Sequence, residues 1–374
     1  MYEAERGLFD LRRGRFLYVT GPDRSMPDPS VLLAAVEGLN RDTLDGLRQL
    51  GRGPVRLAVT SYRAQAMGLA VGASRGISLS LNGESPDQIL RLSSAIGSWT
   101  ANTHDRRDAS LPEIGGLTLV RLGSLLPAVV SVAADPDSTA ELRTLLDTHS
   151  VLSTTTDAID AMAANARVEL TYVSDGPVPL ADAEDARLLC FREANGLLEH
   201  VAIVIGTSES WPDPLPVRLH SACLTGDLFG SLRCDCGEQL RGSLRVFAAS
   251  GGGVLLYLAQ EGRGIGLGNK LRAYLLQQEG LDTIDADGAL GFGADERRYD
   301  AGIEILRHLG IRRIQLLTNN PEKVRALRRG GIEVIDRQPI FGTVNRHNLP
   351  YVMAKVQRAG HWLDEMLARS HVRK

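Results

Sequence analysis

GGVLLYLAQEGRGIGLGNKLRAYLLQQEG (residues 252–280) changes character twice along its length. GGVLLYL is a short apolar run after a glycine turn and reads as a strand. GNKLRAYLLQQEG carries apolar residues at helical spacing. The glycine-rich QEGRGIGLGNK joins them, and such a turn before a helix lets backbone N–H groups approach an anion. The loop is neither a dinucleotide fingerprint nor a Walker A sequence, and taken alone it reads as a helix-entry loop. Strand, turn and helix in succession are the unit of an α/β layer architecture.

The same alternation extends in both directions. Downstream, RRYDAGIEILRHLG reads as an amphipathic helix and RIQLLTNN as a strand; upstream, HVAIVIG and PVRLHS are short apolar strands. In the first half FLYVTG (residues 16–21) and VRLAVTS (residues 55–61) read as strands. VLLAAVEGL and DTLDGLRQL have helical spacing, and SPDQILRLSSAI reads as a helix with Ser85 as N-cap. The expected class is α/β, with mixed sheets and helices. At 374 residues, two domains are expected. The Pro- and acid-rich SDGPVPLADAEDA (residues 174–186) puts the junction slightly before it, giving domains 1–165 and 166–374.

Net charge of −3 supplies no basic field for nucleic acid. The longest apolar stretch, LGSLLPAVVSVAA (residues 122–134), is short, follows Arg121 and contains a proline, so a buried segment is expected rather than a membrane span. No secretory signal is read at the start. The expectation is a soluble cytoplasmic protein in which cysteines remain thiols or bind metal.

Three of the four cysteines, Cys223, Cys234 and Cys236, lie within SACLTGDLFGSLRCDCGEQL (residues 221–240), spaced C-x10-C-x-C. Pairing would leave one thiol over, and the surroundings (Arg233, Asp235, Gly237, Glu238) are polar and turn-like. Metal is the better reading than core packing. Three thiolates leave a fourth position on zinc for water, the pattern of a hydrolytic site, where the metal lowers that water's pKa. Cys190, in RLLCFR, is read as core. His220 is read as contacting substrate or neighbouring backbone rather than as a fourth ligand. In the glycine-rich loop, Glu261 can accept from a guanine-like edge and Arg263 can pair with phosphate. TNNPEK, at a strand-to-helix turn, is a phosphate perch.

RLHSACLTGD, SLRCDCGEQL, LLYLAQEGRGIGLGNKLRAY, LDTIDAD, LGFGADERRYD and LLTNNPEKV, in that order and spacing, closely resemble GTP cyclohydrolase II over about residues 217–363. The resemblance implies one zinc per subunit on Cys223, Cys234 and Cys236, magnesium with the triphosphate, and a homodimer. It implies attack of water at C8 of guanine, opening of the imidazole ring, and release of formate and diphosphate at the start of riboflavin synthesis. GTP contacts are implied at Arg218, His220, Ser221, Gln239, Glu261, Gly262, Arg263, Thr283, Thr318 and Lys323. Asp295 matches the family's proton acceptor, Tyr274 a tyrosine near the base, and Arg297 a residue described as a nucleophile toward the α-phosphorus. A guanidinium stays protonated, so a charge clamp is the physically easier role for Arg297. One departure stands out: many relatives carry an acid immediately before the first zinc cysteine, where this chain has Ala222. A GTP-binding regulatory relative, or one that stops at the formamide, is the alternative; the zinc cysteines kept with Asp295, Arg297 and Tyr274 argue against both.

LRRGRFLYVT, VRLAVTSYRAQAMGL and ESPDQILRLSSAI distantly resemble 3,4-dihydroxy-2-butanone 4-phosphate synthase. That synthase has a dense acidic run where this chain reads TGPDRSMPDPS, and the histidines of this half are His104 and His149. A non-catalytic first domain is therefore expected, structural or dimer-forming.

Overall fold

The structure, a computed structural model, describes residues 2–23, 25, 28–97, 105–164, 168–358 and 360–363. Two compact units form: Met1–Ala166 with Gly268–Glu296, and Arg167–Leu267 with Arg297–Lys374. Each is built on a seven-stranded mixed sheet with helices, in keeping with the α/β class.

In the first unit the strands are β1 (Leu17–Thr20), β2 (Ser30–Ala35), β3 (Arg52–Thr60), β4 (Gly76–Ser80), β5 (Arg106–Asp108), β6 (Ala128–Ala133) and β7 (Leu152–Thr155), in the order β5-β4-β3-β6-β2-β1-β7. Only β1 and β7 run parallel. The expected helix at VLLAAVEGL is instead β2, antiparallel to both β1 and β6. Its residues Val31 to Ala35 are all buried. A strand covered on both faces is apolar at every position, so it mimics one face of a helix in sequence. The helix Pro86–Ser94 has the expected cap, with Ser85 accepting from Gln88 N and Gln88 returning the bond. In the helix Leu111–Leu122, Glu113 is fully buried, and its carboxylate accepts from the hydroxyls of Ser78 and Ser131 and from Arg107. That satisfies a buried charge and fastens the helix to β4, β5 and β6.

The segment 268–296 falls inside the stretch expected for the second domain, yet it packs in the first unit. Polar contacts from the first half hold it there, among them Arg63 to Ala289 O and Thr60 to Gly291 O.

In the second unit the strands are β8 (Leu170–Pro177), β9 (Arg187–Glu193), β10 (Glu199–Ile205), β11 (Leu215–Ser221), β12 (Gly253–Leu258), β13 (Arg313–Leu317) and β14 (Glu333–Gln338). The order is β14-β13-β11-β12-β10-β9-β8. Strands β12, β11, β13 and β14 are parallel and the rest antiparallel. Val254 and Leu256 of β12 pack with Val217, Leu219 and the helix residues Ile303, Ile305 and Leu306. Leu255 packs on the opposite face with Leu244 and Phe247 of the helix Cys236–Ala249. Both faces are covered, which explains the unbroken apolar run of GGVLLYL. Cys190, expected in the core, stands half-buried on β9, nearer the antiparallel edge. With β11, β12 and β13 parallel, the loops that follow them leave the sheet at one edge, the place where open α/β sheets bind ligands.

Candidate metal centre and active site

The chain leaves β11 late: Ala222 N still bonds Leu258 O at 2.8 Å. Cys223, next along, precedes the short helix Leu224–Asp227; Cys234 precedes, and Cys236 begins, the helix Cys236–Ala249. Two glycines let these helix starts meet. A Cβ on Gly237 would lie 2.3 Å from Gly226 O, and one on Gly226 would lie 2.6 Å from Cys234 Sγ and 3.1 Å from Cys223 Sγ. The three sulfurs consequently lie within 4.8 Å of one another, with Cys223 and Cys234 at 3.7 Å. Among the described residues this is the only such group of three or more metal-ligating side chains.

The hydrogen bond shared with Cys223 pushes the Cys234 thiol up to about 11, and Cys223 likewise drives Cys236 well above the usual thiol range. Crowded thiols resist becoming three anions unless a cation sits among them, and a soft all-sulfur donor set suits zinc. The residues present therefore fit the metal that the spacing suggests.

Asp227 is the hub beside this cluster, and no role was read for it in the sequence. Its carboxylate accepts from Cys223 N at 2.9 Å, from Tyr257 OH at 3.0 Å, and faces His220 Nε2 at 3.1 Å. His220 Nδ1 accepts from Arg218 Nε at 3.4 Å. These contacts put the imidazole proton on Nε2. Burial holds the imidazole pKa below its ordinary value, so the ring is neutral at pH 7. Both ring nitrogens are engaged, and His220 lies outside the metal-ligating group. Its partners are side chains, not backbone. The ring stacks on Tyr257, 5.6 Å between centroids, because the two are register partners on β11 and β12. Burial raises the Tyr257 phenol, which stays a donor. The spacing HSACLTGD holds a weak signal for Asp227: an acid one helical turn past Cys223 can cap that residue's own N–H.

Arg218 is buried, and burial lowers it to about 10, still charged at neutral pH. It donates to Leu317 O at 3.3 Å and to Gln239 Oε1 at 2.7 Å; Gln239 in turn donates to Asp235. After β12, Gln260 Nε2 donates to Ser221 Oγ at 3.1 Å. Glu261 accepts from Leu224 N at 2.6 Å and from Gly262 N at 2.9 Å, tying the glycine-rich loop to the loop of Cys223. Gly262 and Arg263 both have left-handed backbone (φ 62° and 63°). A left-handed arginine is uncommon, and such strain gathers at ligand-binding turns. After β13, Thr318 Oγ1 accepts from Asn320 N at 3.0 Å, and Asn320 caps the helix Pro321–Arg329. Lys323 is buried, with Nζ donating to Leu219 O at 2.7 Å and lying 5.9 Å from the Tyr299 ring centroid. The second unit thus gathers three thiols and two buried cations around the ends of β11, β12 and β13.

Other expected residues lie elsewhere. Tyr274, on the helix Gly266–Gln278, Thr283, which begins the helix Thr283–Ala289, and Asp295 belong to the first unit. Arg297 belongs to the second, ahead of the helix Asp300–His308. His149 is exposed, and His104 lies outside the described residues. Among the described residues no helix is long and apolar enough to cross a membrane.

Residues 172–339 match the sequence model of the family described as GTP cyclohydrolase II. A GTP cyclohydrolase-2 of Azospirillum brasilense is 40% identical over 375 residues, covering 96% of this chain and 94% of that protein. One from Xylella fastidiosa (strain 9a5c) is 44% identical over 313 residues, covering 82% and 75%. The riboflavin biosynthesis protein RibBA of Parabacteroides distasonis is 34% identical over 397 residues, covering 97% and 98%. A solved two-domain 3,4-dihydroxy-2-butanone 4-phosphate synthase from A. baumannii aligns over 91% of this chain and 99% of that one, at 17% identity and a TM-score of 0.33, a likeness too slight to bear on the first unit.

Proposed function

Since the chain belongs to the GTP cyclohydrolase II family of hydrolases, we propose that it opens the guanine imidazole ring of GTP at the start of riboflavin biosynthesis. The products of this reading are 2,5-diamino-6-(5-phosphoribosylamino)pyrimidin-4(3H)-one, formate and diphosphate. Water enters at C8 to open the ring, again at the formamide to release formate, and at the α-phosphorus to release diphosphate. The observation that carries the proposal is the trio Cys223, Cys234 and Cys236, closed over Gly226 at the carboxyl edge of parallel strands. Zinc held by these thiolates would supply Lewis acidity and lower the pKa of water.

The chain's own residues carry the rest. Asp227 holds Cys223 through its backbone N–H and fixes the His220 tautomer. The Glu261 carboxylate would accept from the N–H groups of the guanine edge. Arg218, His220, Ser221 and Gln239, with Gly262, Arg263 and Thr283, contribute to binding GTP; Thr318 and Lys323 face its phosphates. Asp295 takes a proton, Tyr274 steers water at the formamide, and Arg297 stabilises charge on the α-phosphoryl group. Magnesium would accompany the triphosphate, and a homodimer is the proposed assembly. In this reading residues 1–165 are a non-catalytic domain and 166–374 the cyclohydrolase domain.

The test is GTP turnover by zinc-loaded protein with magnesium, with formate, diphosphate and pyrimidine measured together beside Cys234→Ser. Equal formate and diphosphate, both lost in the variant, support the proposal. Diphosphate without formate replaces it with an early-stopping enzyme, and no turnover with GTP and zinc bound replaces it with a regulatory binder.

A further inference from the structure

The first unit holds a piece of the matched family region. Segment 268–296 lies within residues 172–339, carries Tyr274, Thr283 and Asp295, and packs in the first unit. Three polar attachments from the first half meet it along its length. Glu37 accepts from Arg272 at 2.7 Å, two residues before Tyr274, while its other oxygen accepts from Leu126 N at 2.9 Å. Arg63, only 2% exposed, donates to Ala289 O at 2.7 Å, at the end of the helix that Thr283 begins. The same guanidinium donates to Leu92 O and Ala95 O at the end of the helix Pro86–Ser94. One buried cation thus sits at two helix C-termini, where carbonyls are unsatisfied and the dipole is negative. Arg121 donates to both oxygens of Glu296, at 2.8 and 3.0 Å, immediately after Asp295.

Thr60 adds a fourth and closer contact. Its hydroxyl donates to Gly291 O at 2.7 Å and accepts from the backbone N–H of Arg63 at 3.3 Å, linking the segment to the start of the helix that carries Arg63. Gly291 has φ +91°, and a Cβ there would lie 3.0 Å from Thr60 Oγ1, so the close approach needs glycine. These contacts are more than a packing surface requires. Each binds a backbone carbonyl or a charged side chain of the segment that carries Tyr274, Thr283 and Asp295.

We infer that the first unit serves GTP hydrolysis as a clamp: Thr60, Arg63, Arg121 and Glu37 are positioning residues that hold Tyr274, Thr283 and Asp295 in one conformation. The inference rests on the proposed cyclohydrolase reaction. It gives the first half a task that needs no chemistry of its own, and it makes residues far from the cysteines in sequence control kcat.

Full-length, zinc-loaded Thr60→Val, Thr60→Ser and Arg121→Gln are compared with the wild type. Serine keeps both hydrogen bonds of Thr60; valine keeps the shape and loses both. Arg121 is partly exposed, so its variant folds even if Thr60→Val does not. Misplacing catalytic groups should lower kcat roughly tenfold to a hundredfold in Thr60→Val and Arg121→Gln. Zinc content should stay at the wild-type level, and Thr60→Ser should recover wild-type kcat. Hydrogen exchange across residues 283–296 should quicken in the two impaired variants and not in Thr60→Ser. Wild-type kcat and exchange in both Thr60→Val and Arg121→Gln would overturn the clamp alone. A wild type without GTP turnover would sink the proposed reaction and the clamp's catalytic role with it.

Discussion

Asp227 concentrates more of the site on one side chain than any cysteine does. Two oxygens serve the Cys223 backbone, the Tyr257 phenol and the His220 imidazole, in a pocket where all but the phenol are buried. Asp227→Ala strands those three donors without a partner. Leaving buried donors unmet costs on the order of 1–3 kcal/mol, which a denaturant titration of the apo-protein would read as a lower midpoint at unchanged slope. The second effect is on metal. Freed from its anchor, Cys223 loses its fixed orientation, and zinc affinity should fall roughly tenfold to a hundredfold in a competition with a chromogenic chelator. Unchanged zinc affinity would show that Asp227 supports the fold without supporting the metal.

At the scale of elements, the centre depends on two helix starts touching through Gly226 and Gly237, with no side chain between them. Gly226→Ala places a methyl group 2.6 Å from Cys234 Sγ, a separation no carbon and sulfur tolerate. The neighbours are the side chains of Cys223, Cys234 and Cys236, which can give way only by leaving the cluster. We expect Gly226→Ala to lose zinc, measured as metal per chain after dialysis, and to lose GTP turnover to the level of Cys234→Ser, while β11 and β12 stay folded by circular dichroism. Retained zinc at full occupancy would mean the two helix starts can part without cost. These features differ in how plainly the sequence shows them. Thiolate spacing is visible because three cysteines crowded into a polar turn suit neither a disulfide nor an apolar core. Strands β11, β12 and β13 are visible as apolar runs between turn residues. Strand β2 is not, since burial on both faces erases the alternation that marks a strand. Asp227 is hidden because an acid in a short helix looks like any solvated acid until the fold sets His220 and Tyr257 against it. The allegiance of segment 268–296 is hidden as well: it depends on carbonyls at the end of one helix meeting Arg63, a long-range match that no local pattern carries.

Over the whole molecule, two mixed sheets of seven strands hold very different side chains at their edges. The second has thiols, an imidazole and buried cations around the ends of its parallel strands. In the first, the buried ionic group of the central helix, Glu113 with Arg107, Ser78 and Ser131, is internally satisfied and anchors that helix to three strands. Enolising a sugar phosphate on divalent metal needs several carboxylates converging on one point. Among the described residues of this unit no such group of three or more ligands converges. Asp23, after β1, bonds Ser25 through both carboxylate oxygens. We therefore predict that the full chain with magnesium and ribulose 5-phosphate forms no 3,4-dihydroxy-2-butanone 4-phosphate above a protein-free control, under conditions where GTP yields formate. Turnover of the sugar phosphate would require carboxylates to assemble around the metal from positions now engaged elsewhere. Glu113 is the most deeply buried carboxylate among the described residues of this unit, so Glu113→Gln should then abolish that turnover. If it did, the first unit would be an enzyme in its own right, and its grip on segment 268–296 a second duty.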